Sequence, residues 1–336
     1  MDFFKRLFIG SLATMFATTA VATIFATTGE GPTGIVIDAA GNLYVANSIS
    51  DNVSKITPDG TSTILGATGD DPSGIAIDAA GNVYTSNVGS KNITKITPGG
   101  ASNNYGTTGN QPYSMVIDAL GNVYTANLNS SNVSKIEPDG TSTIFATTGA
   151  SPIDIAIDAA GNLYTANSAA ENVSKITPGG ASSILGDTDS SPYGIAVDPS
   201  GTVYTSNGLG NPGDPGSVSK ITSNGISTIL GATGETPYGI AIDALGNVYT
   251  ANKDDNNVSK ITPDGTSIIL GATGLFTHNI AIDPEGYIYT TNYGSDNVSK
   301  FAKAVAPPTP VPALPFFGLF LLGGLMGLFG LRRLRA

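Results

Sequence analysis

An all-β ring of seven four-stranded sheets is the fold that this 336-residue sequence predicts, and three observations predict it. Nearly the same stretch of text is written seven times, starting at Pro32, Pro72, Pro112, Pro152, Pro192, Pro237 and Thr277, a spacing of 40 residues broken once by 45. Each unit is interrupted every four to six residues by Gly, Pro, Asn or Asp, the rhythm of short strands and not of the long 3.6-period runs that helical repeats need. The seventh unit lacks its fourth strand, yet Thr23–Gly29, TIFATTG, ahead of the first unit repeats the fourth-strand text Thr143–Gly149. One twisted sheet cannot bury both faces alone, so seven copies stack about an axis as a closed seven-bladed β-propeller. The N-terminal strand is expected to pair with Val298–Phe301, completing the last blade and hiding an open sheet edge.

In chain order, residues 1–22 have the build of a secretory signal peptide: Lys5 and Arg6, an apolar run from Leu7 to Phe16, then small residues ending in Ala20-Val21-Ala22. The propeller is expected over 23–301. In its first unit Ile35–Ile37 is a short apolar run suited to a strand buried on both sides, and Asp38–Asn42 is a turn in which Asp accepts backbone N–H bonds and Gly41 tolerates positive φ. Strands at Leu43–Ala46, Val53–Ile56 and Thr61–Leu65 follow, with the loop Asn47–Asn52 and the turn Thr57–Gly60 between them. Asp38, Gly41, Tyr44, Asn47 and Lys55 recur in all seven units. Residues needed in every blade are turn formers and packing elements, and the lysines are expected to lay their stems along neighbouring blades with the ammonium near a carboxylate. The Asn-Val-Ser triplets at Asn52, Asn132, Asn172, Asn257 and Asn297 read as loop-to-strand turns. Residues 302–315 include AVAPPTPVPALP, a stiff extended linker. Segment 316–336 holds sixteen apolar or glycine residues, then three arginines, and is expected to be a marginal transmembrane helix with the propeller outside.

Composition narrows the function. The chain has no cysteine, so export brings no disulfide framework, and a ring of this size has enough inter-blade burial without one. Nine lysines face 25 acidic residues between Thr23 and Phe301, a net of −16 that repels phosphate backbones and argues against nucleic acid. Acidic loops such as Asp70-Asp71 and Asp254-Asp255 lack the ligand spacing of a dedicated Ca²⁺ site and would hold that ion only weakly; no cofactor is expected.

Variation among the copies concentrates in the loops after the second and fourth strands, which share one face of a propeller, and reaches furthest in blade five at Gly208–Gly216. At the channel mouth, one residue after each unit's start, the chain reads Thr33, Ser73, Tyr113, Ile153, Tyr193, Tyr238 and His278. Tyrosine offers a flat apolar ring with a hydrogen-bonding tip, useful for a glycan or peptide. Asp154 and Asn279 put polar groups where most blades have glycine. Tyr113, Asp154, Tyr193, Tyr238, His278 and Asn279 are the candidate ligand site; no catalytic or metal-binding set is expected.

The repeat Pro-x-Gly-Ile-Ala-x-Asp-x-x-Gly-Asn-x-Tyr, as at Pro237–Tyr249, resembles NHL repeats, and Lys55–Gly60, KITPDG, is similar to the propellers of the streptogramin (virginiamycin B) lyases. That resemblance implies a seven-bladed propeller and a metal-assisted enzyme relying on histidine and glutamate in the central face. His278 is the one histidine, so a histidine-based acid/base pair cannot be assembled. The C-terminal order of Val311-Pro312-Ala313-Leu314-Pro315, apolar segment and arginines resembles bacterial sorting signals of the PEP-CTERM type, which implies processing by a membrane transpeptidase of the exosortase class. Together these readings point to an exported, monomeric propeller, anchored in or released from the bacterial cell envelope, that binds a glycan, peptide or matrix component without catalysis. The competing reading is a metal-dependent lyase or lactonase-like enzyme with its site in the channel.

Overall fold

The structure, a computed structural model, describes residues 22–208 and 213–303. The expected signal segment, most of the Pro-rich linker and the expected C-terminal helix lie outside the described residues. Among the described residues no helix is long and apolar enough to cross a membrane.

Twenty-eight strands form seven four-stranded antiparallel sheets. In the first complete blade they are β2 (Pro32–Ile37), β3 (Leu43–Asn47), β4 (Asn52–Ile56) and β5 (Ser62–Ala67), paired in that order from inside to outside. The preceding strand, β1 (Ala22–Thr27), pairs with the last one, Asn297–Phe301, in the register Ala22↔Phe301, Thr23↔Lys300 and Ile24↔Ser299. Blade seven is therefore built from both ends of the propeller, as the repeat phase requires. A bulge between Ile24 and Ala26 breaks this ladder, and Phe25 meets Tyr289 edge-on at 5.4 Å.

Apolar residues pack between blades. One cluster joins Tyr44 and Val53 of the first blade to Val83 and Ile96 of the second; another joins Ala26, Tyr289 and Val298 of the seventh to Leu43, Val45 and Ile56 of the first. The most completely buried elements are the second strands, every residue of which is buried. The inner strands, expected to be buried on both sides, instead leave Val36 and Ile37 partly exposed, although each packs against an inter-blade cluster.

The recurring residues have the structural roles their recurrence implies. Asp38 Oδ1 accepts from Ala40 N and Asn42 N, both at 2.9 Å, while Oδ2 accepts from Asn42 Nδ2 at 2.8 Å and Tyr44 Oη at 3.1 Å. Burial alone would raise this carboxyl, but the donors of Asn42, Tyr44 and Ala40 outweigh it and hold the group below its usual range. Burial and then the bond to Asp38 push the Tyr44 phenol up to about 12. Asn47 is buried and donates to Asn52 Oδ1 at 2.7 Å and Ser54 Oγ at 2.9 Å, tying the second strand to the third. Of the third-strand lysines, Lys135 meets the expectation, with its ammonium 3.0 Å from Glu137. Lys55, Lys95, Lys175, Lys260 and Lys300 depart from it: their ammonium groups lie over aromatic rings, Lys55 at 5.6 Å from the centre of Tyr44 and Lys300 at 4.1 Å from that of Tyr287. The tyrosine directly opposite on the second strand supplies a π-face already in register, whereas the turn aspartate is engaged by its own donors.

Candidate functional site

The two variable loop types meet on one face. Serines of the loop after the second strand accept from the backbone of the loop ahead of the inner strand, as in Asp70 N to Ser90 Oγ at 2.7 Å and Leu275 N to Ser295 Oγ at 2.8 Å. On this face every inner strand breaks register just after its start, between Pro112 and Ser114, Pro152 and Asp154, Pro192 and Gly194, Pro237 and Ile240, and Thr277 and Ile280. A bulge re-aims the side chain it releases from the ladder. The released residues include Tyr113, Tyr193, Tyr238 and His278, and the bulges turn them towards the channel mouth.

They form an aromatic wall across blades five to seven. Tyr193 and Tyr238 are stacked at 4.7 Å with planes 13° apart; Tyr238 and His278 lie 4.8 Å apart, and His278 and Tyr293 6.3 Å. Beside the wall is a cavity of about 440 Å³, lined by Tyr113, Tyr238, His278, Tyr293, Phe276 and Lys253 together with Thr33, Ser48, Asp71, Ser73 and Val88. One residue further along the inner strands a smaller chamber of about 70 Å³ is lined by Ser114, Asp154 and Asn279 together with Tyr113, Tyr193, Tyr238 and His278.

The electrostatics divide these groups. Burial, then the nearby Lys253 ammonium, lowers the His278 imidazole to about 4, so it is neutral at pH 7. Its buried Nδ1 has no hydrogen-bond partner. Lys253 Nζ stands 5.0 Å from the centre of the Tyr238 ring. Burial, followed by Tyr113, Tyr193 and Asp254, raises the Tyr238 phenol, and burial and Asp71 raise that of Tyr113. Asp154 is enclosed: Oδ1 accepts from Ser114 Oγ at 2.6 Å and Ile155 N at 2.9 Å, and Oδ2 from Ile195 N at 2.8 Å. Burial raises its carboxyl and these three donors partly offset that. Asn279 Oδ1 accepts from Ile280 N at 2.8 Å, the same local bond that Asp154 makes.

All six residues picked from the sequence thus line the small chamber, and Tyr113, Tyr238 and His278 also line the large cavity. Asp154 is set apart by its bonding, which joins three successive blades and leaves it a brace. Lys253, Tyr293, Phe276 and Asp71 line the large cavity but are not among the six residues picked from the sequence. Lys253 and Tyr293 occupy the first loop position after the second strand, where other blades have Ser48, Val88, Leu128, Ser168 and Gly208. Their backbones bond to Thr236 O and Phe276 O, which anchors them at the end of the neighbouring loop. Departure from Ser or an aliphatic residue at that position was the available signal. Phe276 adopts φ 53°, a left-handed conformation unusual for a bulky residue, where the first blade has Gly31.

The metal that the lyase resemblance implies can be tested against these donors. His278 supplies one imidazole, Asp154 is consumed by three donors, and no group of three His, Cys, Asp or Glu that could hold a metal occurs among the described residues. The residues present do not fit a metal centre.

Comparison with known proteins places this architecture. A streptogramin B lyase structure superposes with a TM-score of 0.73 at 16% identity, covering 84% of this chain and 96% of the other. Virginiamycin B lyase from Staphylococcus aureus gives 0.72 at 19% identity, covering 82% and 95%. A gluconolactonase from Xanthomonas campestris gives 0.56 at 16%, covering 84% and 89%. At such identities these likenesses show the fold. No curated protein matches in sequence. The model of the virginiamycin B lyase family matches residues 9–214, more than half of the chain, and the chain belongs to that family.

Proposed function

We propose that this propeller is an exported, envelope-anchored recognition module that holds part of a glycan, peptide or matrix component in the loop-face cavity and does not transform it. The observation that carries the reading is the aromatic wall of Tyr193, Tyr238, His278 and Tyr293 beside a 440 Å³ cavity whose lining also holds hydroxyl groups. A cavity of this size is within the range of small-ligand sites. Export and anchoring rest on the sequence of residues 1–22 and 302–336, including the sorting-signal resemblance. A catalytically inactive variant of the S. aureus virginiamycin B lyase with quinupristin shares the fold at a TM-score of 0.73, which shows that such a propeller can hold a ligand.

The test is a glycan and peptide array probed with the purified propeller and with a Tyr193→Ala/Tyr238→Ala variant of matched thermal stability. Binding that is lost in the variant supports the reading; binding that persists at full strength refutes it. The second reading, a metal-dependent lyase or lactonase, is favoured by family membership and by His278 at the channel mouth. It predicts conversion of a streptogramin B antibiotic that requires a divalent ion and disappears in His278→Ala.

A further inference from the structure

The large cavity contains one group whose situation the scaffold does not explain. The third-strand lysines recur in every blade, five of them packed on rings of their own blade, and belong to the repeat, but Lys253 stands in a loop position that is neutral in blades one to five. Its ammonium lies 5.0 Å from the centre of the Tyr238 ring, and no ion pair is formed by it among the described residues. The acids next to it in sequence are otherwise engaged: Asp254 Oδ2 accepts from Thr236 Oγ1 at 2.5 Å, and Asp255 Oδ2 from Glu235 N at 2.9 Å. In a chain of net charge −11, an unpaired cation at the edge of a cavity is a feature to be accounted for.

Resting on the binding reading above, we propose that this cavity selects a ring-sized ligand bearing a single carboxylate, a uronic-acid saccharide, with Lys253 as the specificity-determining residue. In the free protein the Tyr238 face holds the ammonium by a cation–π contact, which is weak where water has access. A carboxylate offers that ammonium a charge-assisted hydrogen bond, which is roughly twice as strong as a neutral one. Lys253 then leaves the ring, and the apolar face of the sugar packs against the aromatic lining that Tyr238, His278 and Tyr293 present to the cavity. Ser73 lines the same cavity, as do Thr33 and Ser48, whose hydroxyls donate to Ala46 O, Pro72 O and Gly31 O and are left to accept from sugar hydroxyls. His278, neutral at pH 7, contributes no second positive charge, and Asp71 in the lining repels a second carboxylate. Hydroxyl groups among the rings favour a saccharide over an aromatic acid of the same charge.

The test is isothermal titration of the full propeller with uronic-acid oligosaccharides, their carboxyl-reduced counterparts and a simple aromatic carboxylate, for the natural chain, for Lys253→Met and for Tyr193→Ala/Tyr238→Ala. Methionine keeps a long apolar stem on Tyr238 and removes the charge, so folding is preserved. The expected result is at least a tenfold preference of the natural chain for the uronate over its reduced form, loss of that preference in Lys253→Met, and weaker binding of the aromatic acid. Equal binding of uronate and reduced sugar by the natural chain, or an unchanged preference in Lys253→Met, overturns the carboxylate inference and leaves the cavity reading standing if the tyrosine variant fails to bind. Stronger binding of the aromatic acid overturns the saccharide assignment. Binding of none of the probes, or binding unaffected by loss of the two tyrosines, overturns this inference, and the second of these outcomes overturns the cavity reading as well.

Discussion

Two buried side-chain atoms among those described have no hydrogen-bond partner, Asn47 Oδ1 and His278 Nδ1, and their causes differ. At Asn87, Asn127, Asn167 and Asn207 the same oxygen accepts from a threonine two residues earlier, at 2.8–3.0 Å. The first blade has Val45 at that place, fully buried in an apolar cluster. Val45→Thr restores the donor in an equal volume, and is expected to stabilise the protein by about 1 kcal/mol. A denaturant midpoint that rises at constant slope checks this; a fall would mean that the oxygen is already satisfied. His278 Nδ1 has no such scaffold explanation. Its imidazole is depressed from 6.5 to about 4 by burial and Lys253, so the folded state resists protonation that the unfolded chain accepts. Stability contributed by the neutral imidazole is complete above about pH 6.5 and is lost as the pH falls towards 4. The loss is expected to be about 3 kcal/mol. His278→Phe should flatten that limb of the stability profile, and an unchanged profile would show that the ring is not buried as described.

At the scale of the element, the closing strand is the point on which the ring depends. Removing Ala22–Thr27 exposes the edge of Asn297–Phe301 and uncovers Tyr289 and Lys300, which contact Phe25. The truncated protein is expected to unfold at lower denaturant and to aggregate, because an unpaired strand edge recruits other chains; unchanged melting would contradict the closure. Strand number, order and closure were legible in the sequence because seven copies of one text fix the punctuation and expose the missing strand. Side-chain destinations were less legible. The partial exposure of Val36 and Ile37 depends on how neighbouring blades pack on them, which no single unit encodes. The lysines were assigned to carboxylates because charge is visible in sequence and a cross-strand ring in register is not: Tyr44 pairs with Lys55 only once the second and third strands are aligned. In the site, the re-aimed residues Tyr113, Tyr193, Tyr238 and His278 could be found by comparing copies at one position. Lys253 and Tyr293 come from a loop that reaches the mouth through a bond to the neighbouring loop, and that meeting is tertiary.

For the whole molecule, the ring separates scaffold from recognition. Turn aspartates and buried asparagines repeat in every blade and hold the sheets together, while departures from the repeat gather on one face. The acidic surface discourages polyanions, yet Lys253 puts a positive group at the edge of the cavity. The virginiamycin B lyase family supplies the architecture, but the donor set at the mouth of this member does not assemble a metal centre. The central claim is that the mouth cavity is where a ligand is held. The most direct measurement is a crystal structure of the propeller with the strongest binder from the array. The account predicts that ligand in the 440 Å³ cavity, against Tyr238 and His278 with Lys253 displaced from the ring. A ligand bound instead on the opposite turn face or along the outer strands would contradict it.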